Sequence, residues 1–274
     1  MSDPTQDFTE DQDFTEDQNF TENENDVTVD AFLGGQLRLK QKRSGHRAGH
    51  DAILLAAATS AGAGDRVVDL GAGVGAAGLA LARRVGGVAL VLVEIDRELA
   101  GLARANAASN AIAAEAIVLD VTADAQTFAD AGLPPDSAEI VLMNPPFNDS
   151  LRHRGSPDEA RHIAHVARED TLQAWVHAAR RMLKSGGALT LIWRADGIAD
   201  VLAALSRGFG SLAVLPVHGE AGRPAIRVLV RAIKGGKAPT RILPGLVLND
   251  EPRMPKKEVE EILQGRAALS LEAP

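Results

Sequence analysis

Arg66-Val-Val-Asp-Leu-Gly-Ala-Gly-Val-Gly-Ala-Ala-Gly78 is the stretch on which the fold turns. A short apolar run, Arg66 to Leu70, stops at a cluster of glycines and gives way to the alanine-rich segment Ala76 to Val85. β-branched residues suit a pleated strand, closely spaced glycines a tight turn and an alanine-rich segment a helix. The same alternation recurs downstream as strand Val88 to Val93, helix Arg97 to Ser109, strand Ala116 to Leu119, a short helix, and strand Ala138 to Met143. It continues with helix Glu169 to Leu183, the turn Lys184-Ser-Gly-Gly187 and strand Ala188 to Trp193, while upstream His46 to Ser60 reads as a helix. Strands alternating with helices predict βαβ units and a parallel sheet covered on both faces, a doubly wound, Rossmann-like α/β domain. Ser211 to Leu215 and Ala225 to Ala232 are separated only by a glycine- and proline-containing connection, which suits a hairpin and predicts an antiparallel edge to the sheet. Beyond Lys237 the order signals are weak, with one helix expected over Lys256 to Ala268. The chain thus divides into a tail (1–26), an N-terminal leading segment and helix (27–60), the α/β domain (61–236) and a C-terminal extension (237–274).

With 274 residues, 45% of them apolar and 24% charged, the chain can bury a large core, and wholesale disorder is excluded. The absence of cysteine excludes a disulfide framework, a thiolate metal site and redox thiol chemistry. No run approaches ~18 uninterrupted apolar residues and the N-terminus carries no secretory pattern, so a soluble cytoplasmic protein without membrane contact is expected. The net charge of −8 is unevenly spread: residues 1–26 hold ten carboxylates and no Lys or Arg, which leaves +2 for the rest. That segment repeats QDFTED at Gln6 to Asp11 and Gln12 to Asp17 and continues as QNFTEN at Gln18 to Asn23. Such low complexity and charge predict a disordered, solvating tail; an interaction arm or a mimic of nucleic-acid phosphate is the alternative. Aromatic residues are 3% of the chain, with no Tyr and only Trp175 and Trp193, leaving few platforms for base stacking.

The glycines after the first strand let backbone approach a ligand in the crevice at the carboxyl ends of the strands. Glu94, ending the next strand, stands where a carboxylate accepts from ribose hydroxyls, and Asp120, closing the third, suits an adenine amino group. Asp96 reads as a solvated residue at the strand end or as a helix N-cap. The glycine pattern alone also admits a dinucleotide. Asp69 argues the other way, because a carboxylate beside the turn repels an anionic pyrophosphate and attracts the sulfonium and ammonium of S-adenosylmethionine.

Asn144-Pro145-Pro146-Phe147 closes the fourth strand. An exocyclic amine or amide nitrogen is a poor nucleophile because its lone pair is delocalised into the adjoining π-system. The Asn144 amide oxygen and the Pro145 carbonyl could each accept one N–H of such a group and aim the nitrogen at a methyl donor. Pro146 restricts Pro145 and both rings fix φ, so the acceptors are pre-organised. Phe147 offers a face against which an extruded base or amide can stack. Asn-Pro as an ordinary turn starter is the plain alternative.

On these residues the chain resembles the class I S-adenosylmethionine-dependent methyltransferases carrying an Asn-Pro-Pro-(Phe/Tyr) motif. The resemblance spans roughly Val27 to Lys234. Asp30 to Lys40, followed by Gly49-His-Asp51-Ala-Ile-Leu-Leu-Ala56, resembles the N-terminal segment of bacterial valine-tRNA adenine N6-methyltransferases, with His50 where that family has Thr or Ser and Asp51 retained. Glu159-Ala-Arg161-His162 also resembles a segment of that family, near the target base. The resemblance implies a seven-stranded sheet with one reversed strand, S-adenosylmethionine as methyl donor and adenine in tRNA as acceptor. It implies donor contacts from Asp51, Asp69, Gly71, Gly73, Glu94, Asp120 and Asn144, catalysis by Asn144, Pro145, Pro146 and Phe147, and substrate contacts from Phe147, Arg161 and His162.

Similar motifs serve guanine-N2 ribosomal RNA methyltransferases, release-factor glutamine methyltransferases and DNA adenine methyltransferases, so these acceptors stay open. Basic groups support a polyanionic partner, RNA and tRNA in particular: Arg38, Lys40, Lys42 and Arg43 early, Arg152, Arg154 and Arg161 after the motif, Lys234 and Lys237 late. His153, His162 and His165 lack the spacing of a metal site, so no metal is expected. A monomer is expected. The contrasting reading is a methyltransferase-fold binding protein without turnover that engages a partner through its acidic arm.

Overall fold

The computed structural model describes residues 26–45, 47–146, 171–251 and 254–272; the acidic repeat, Phe147, Arg161 and His162 lie outside them. The elements are β1 Val27–Phe32, β2 Leu37–Lys42, α1 His50–Ala58, β3 Arg66–Leu70, α2 Ala76–Val85, β4 Ala89–Glu94, α3 Arg97–Ser109, β5 Ala114–Val118, α4 Ala125–Asp130 and β6 Ala138–Met143. A helix over 171–182, α5, follows. Then come β7 Leu183–Arg194, α6 Ile198–Leu205, β8 Phe209–Glu220, β9 Ala225–Lys234, β10 Arg241–Ile242, β11 Leu246–Glu251, β12 Met254–Pro255 and α7 Lys257–Leu263.

β3 to β12 build one mixed sheet in the order β12-β11-β8-β9-β7-β6-β3-β4-β5, with β10 also on β8. The parallel half, β7-β6-β3-β4-β5, is the doubly wound unit expected from the strand and helix alternation. Its inner strands β3, β4, β6 and β7 are largely apolar on both faces, as strands covered on both sides must be, whereas the edge strand β5 is partly exposed. Val67, Leu90, Leu92 and Leu142 pack toward α1, α2 and α3, whereas Val68, Leu70, Val91, Val93, Val141 and Met143 pack toward α4 and α5. Asp69 shares the parity of Val67, so the pleat puts its carboxylate on the α1–α2 side.

The reversed strand is β9, which pairs antiparallel with both β7 and β8. It is interior rather than an edge: β8 lies outside it, and β10 and β11 extend the sheet by pairing parallel with β8. The seven strands β3 to β9 are therefore joined by three short ones. The C-terminal extension, expected to hold one helix, supplies these strands as well as a shorter helix. Its apolar residues are few and irregularly spaced, so periodicity does not register them, yet Leu246, Val259, Ile262 and Leu271 are buried in the same core as α1. Leu269 N–H donates to Ala57 O at 2.9 Å and Gln36 Nε2 donates to Gln264 O, tying the extension to α1 and to the turn of the β1–β2 hairpin.

That hairpin is a separate two-stranded sheet, and its outer edge is paired by side chains. Asn110 Oδ1 accepts from Arg38 N–H at 2.9 Å while its Nδ2 donates to Arg38 O at 2.8 Å. Four residues earlier on α3, fully buried Asn106 does the same for Lys40, at 2.7 and 3.1 Å. The i, i+4 spacing of a helix thus matches the i, i+2 spacing of a strand. Among the described residues, no helix is long and apolar enough to cross a membrane.

Candidate functional site

The turn after β3 is built from three glycines with positive φ, Gly71 at 75°, Gly73 at 56° and Gly75 at 86°, a conformation unfavourable for other residues. Each is needed for a different reason. A Cβ on Gly71 would meet the Trp175 ring at 2.1 Å, so the α5 tryptophan lies directly against this backbone. A Cβ on Gly73 would meet nothing within 4 Å, because this residue faces open space. Gly75 begins α2, and Asn106 Nδ2 donates to Val74 O at 3.0 Å, bracing the turn from α3.

Asp69 lies under that turn, only 2% exposed, and Gly78 N–H donates to its Oδ2 at 2.7 Å. A Cβ on Gly78 would come within 3.0 Å of the same oxygen, so glycine allows α2 to approach. Burial pushes the Asp69 carboxyl up to about 7 from its ordinary 3.8; the Gly78 bond opposes the shift and the Glu94 charge adds to it. One neutral hydrogen bond does not offset the loss of water around a buried carboxylate.

A cavity of about 350 Å³ opens above this turn and brings together Asp51, Asp69, Gly71, Gly73 and Asn144. Asp51, in the first turn of α1, accepts from Arg227 Nε of β9 at 2.9 Å, so the helix and the reversed strand meet at its rim. Asn144 directly follows β6, and the register of β6 on β3 puts it on the same face as Asp69. Its Oδ1 is buried and has no hydrogen-bond partner among the described residues. An acceptor without a donor in a water-poor place is costly unless a ligand supplies the N–H. Pro145 is buried and Pro146 exposed.

Glu94 does not line the cavity but organises its floor. Its Oε2 accepts from Gly73 N–H at 2.7 Å, and its Oε1 accepts from Ile95 and Asp96 N–H at 2.9 and 3.0 Å. Oε1 is thereby filled, whereas Oε2 keeps room for one further donor. Asp120 also lies off the cavity lining; it is exposed, and its Oδ1 accepts from Thr122 N–H and Oγ1, both at 2.8 Å. Asp96 caps α3 by accepting from Glu98 and Leu99 N–H. Composition and spacing did not single out Trp175, Arg227, Asn106 or Ile95, which is 61% exposed beside Glu94. Only Ile95, next to an expected ribose carboxylate, carries a local signal for its place.

A doubly wound sheet with a reversed strand, a glycine turn over a buried carboxyl and an Asn-Pro-Pro turn at the carboxyl end of the adjacent strand define the class I S-adenosylmethionine-dependent methyltransferases. The sequence matches the Methyltransferase small domain family over residues 48–219, and the chain belongs to that family. A tRNA1(Val) (adenine(37)-N6)-methyltransferase of Pedobacter heparinus is 26% identical over 205 residues, covering 73% of this chain and 83% of that protein. A release factor glutamine methyltransferase of Chlorobaculum tepidum is 27% identical, covering 57% of this chain and 55% of that one. The crystal structure of a predicted O-methyltransferase from Agrobacterium tumefaciens superposes with a TM-score of 0.67 at 32% identity, covering 80% of this chain and 98% of that one. The protein is an S-adenosylmethionine-dependent methyltransferase.

The residues present fit that donor. Asp69, once ionised, could face the donor's cations, Gly73 faces open space that would admit close backbone approach, and Glu94 Oε2 has a lone pair left that could accept from a hydroxyl group.

Proposed function

We propose that the protein methylates the exocyclic amino group of an adenine in RNA, with tRNA as the substrate. The unpartnered Asn144 Oδ1, buried at the end of β6 in the cavity that also holds Asp69, carries this reading. An amide oxygen is an acceptor that cannot itself be protonated near neutral pH, which suits a group with two N–H donors.

In this reading Asn144 Oδ1 accepts one N–H of the target and the Pro145 carbonyl accepts the other, so the nitrogen lone pair is held toward the donor. The bound donor supplies an electrophilic methyl group on a sulfonium. Because the leaving group drives the displacement, the chain need only position the nitrogen and take up one proton afterwards through the water-exposed rim. Pro146 locks the turn, and Phe147 offers the target a stacking face. Asp69 balances the donor's positive charge, Glu94 and Asp120 take ribose hydroxyls and the adenine amino group, and Asp51 holds the rim. Arg161 and His162 contact the RNA. The adenine N6 name of the Pedobacter heparinus relative supports the acceptor.

The test is nucleoside mass spectrometry of RNA from cells with and without the gene, followed by restoration with purified protein. Disappearance of N6-methyladenosine from one tRNA and its return in vitro are expected. A missing methylglutamine in a release factor, with tRNA unchanged, would establish the reading that the Chlorobaculum tepidum relative supports instead.

A further inference from the structure

A second concavity, of about 740 Å³, lies on the opposite face of the sheet, between α5, the end of α6 and the segment after β5. Helix periodicity creates it. Leu172, Val176 and Ala179 turn one face of α5 into the core, while Gln173, His177 and Arg180, offset by one residue, face the cleft. Arg181 joins them from α5 and Arg207 from the turn after α6. Among the described residues no Asp or Glu lines this space, whereas the donor cavity and the cavity around Lys184 both contain acids.

Arg181 is built into the wall. Its guanidinium stacks 4.2 Å from the centroid of the Phe128 ring, and its Nη2 donates to Ala123 O at 3.2 Å. Its Nε is buried without a hydrogen-bond partner among the described residues, and the nearby carboxylate of Asp124 is engaged by Thr127 as the cap of α4. Burial lowers the Arg181 pKa and the Asp124 charge partly opposes that shift. Three guanidiniums around one concave, carboxylate-free space focus a positive potential that an anion relieves. Arg forks match phosphate oxygens in geometry as well as charge.

We propose that this cleft grips phosphodiesters of the RNA substrate, apart from the methyl-transfer site. The inference rests on the RNA reading above. The two places share α5: Trp175 packs against Gly71 at the donor cavity, and Arg180 follows about 8 Å further along the helix axis at ~1.5 Å per residue. A strand leaving the target pocket over the α5 face thus meets the cations within a few nucleotides.

Arg180→Gln, Arg207→Gln and the double variant test this in the full chain, with Arg181 untouched because its packing is structural. Binding of an unmodified tRNA transcript is followed by fluorescence anisotropy across a KCl series, with donor affinity from calorimetry and thermal melting as controls. The double variant should bind RNA about tenfold or more weakly, with the log–log salt slope shallower by about 1 to 2. It should raise the KM for RNA more than it lowers kcat and leave donor affinity and melting unchanged. If the unaltered protein binds RNA and the double variant shows the same affinity and slope, the cleft is a solvated basic surface and this proposal fails while the RNA reading stands. If the unaltered protein methylates a protein glutamine and binds no RNA, the RNA reading fails and takes the cleft with it.

Discussion

Replacing Asp69 by Asn keeps the shape of the side chain and removes its charge, so it isolates what the buried carboxyl does. Its ionisation is displaced from 3.8 to about 7, which at ~1.4 kcal/mol per pKa unit places the burden of a buried carboxylate at about 4 kcal/mol. Between about pH 4 and pH 7 the unfolded chain has released this proton and the folded chain retains it. Stability of the donor-free protein should therefore fall as pH rises through that window and level off above it. The donor's cations favour the carboxylate, so donor binding below pH 7 expels a proton and weakens about tenfold per pH unit, the limit for one obligatory deprotonation. Calorimetry from pH 5.5 to 8.5 in buffers of different ionisation enthalpy measures that proton directly, and urea unfolding over the same range measures the stability slope. Asp69→Asn should flatten both profiles and weaken donor binding at pH 8. The slope carries the test, because the new amide also leaves a buried N–H that needs a partner. A donor affinity independent of pH with no proton release in the unaltered protein, or undiminished affinity at pH 8 in the Asp69→Asn variant, would refute the reasoning.

Asn144→Ala should leave donor affinity nearly unchanged while turnover drops by about two orders of magnitude or more, the scale of a lost positioning contact; single-turnover methylation of tRNA beside calorimetric donor titration checks both halves. Glu94→Ala removes the acceptor of three backbone N–H groups at once, so donor binding should weaken by about 1–3 kcal/mol and the melting temperature should fall with it. Gly71→Ala must both hold positive φ and clear Trp175; it should destabilise by about 1–3 kcal/mol, and a double-mutant cycle with Trp175→Ala should recover the steric part but not the backbone part. Asn106→Ala, cutting the link among α3, β2 and the glycine turn, should cost about 2–4 kcal/mol in chemical denaturation.

Much of the parallel half of the sheet is legible locally. Arg66 to Leu70, Ala76 to Val85, Arg97 to Ser109 and Ala138 to Met143 have in the structure the bounds that the sequence suggests, because period, glycine turns and caps all agree there. His46 to Ser60 shortens to His50–Ala58 and Ala188 to Trp193 lengthens to Leu183–Arg194, since backbone pairing rather than composition sets those ends. At β7 the turn at 184–187 is accommodated as an irregularity, with Ala138 opposite Leu183 and Ile140 opposite Ala188. The extension was the least legible, because β10 and β11 gain their bonds from β8, β12 gains its own from β11, and the buried residues pack in the same core as α1.

Sequence alone determined which residue types stand at the carboxyl ends of the strands: Asp69 near the end of β3 and glycines after it, Glu94 as the last residue of β4, Asn144 just after β6. Those are local facts, since a strand end and the turn after it are contiguous in the chain. Only the tertiary structure decided that Asp69 is buried enough to hold its proton near neutrality, that Asp51 meets Arg227 across 176 residues, and that, among the described residues, Asn144 Oδ1 lacks a donor and three arginines share a space lined by no carboxylate. Desolvation and charge compensation depend on every group within a few ångströms, and most of those neighbours are distant in sequence.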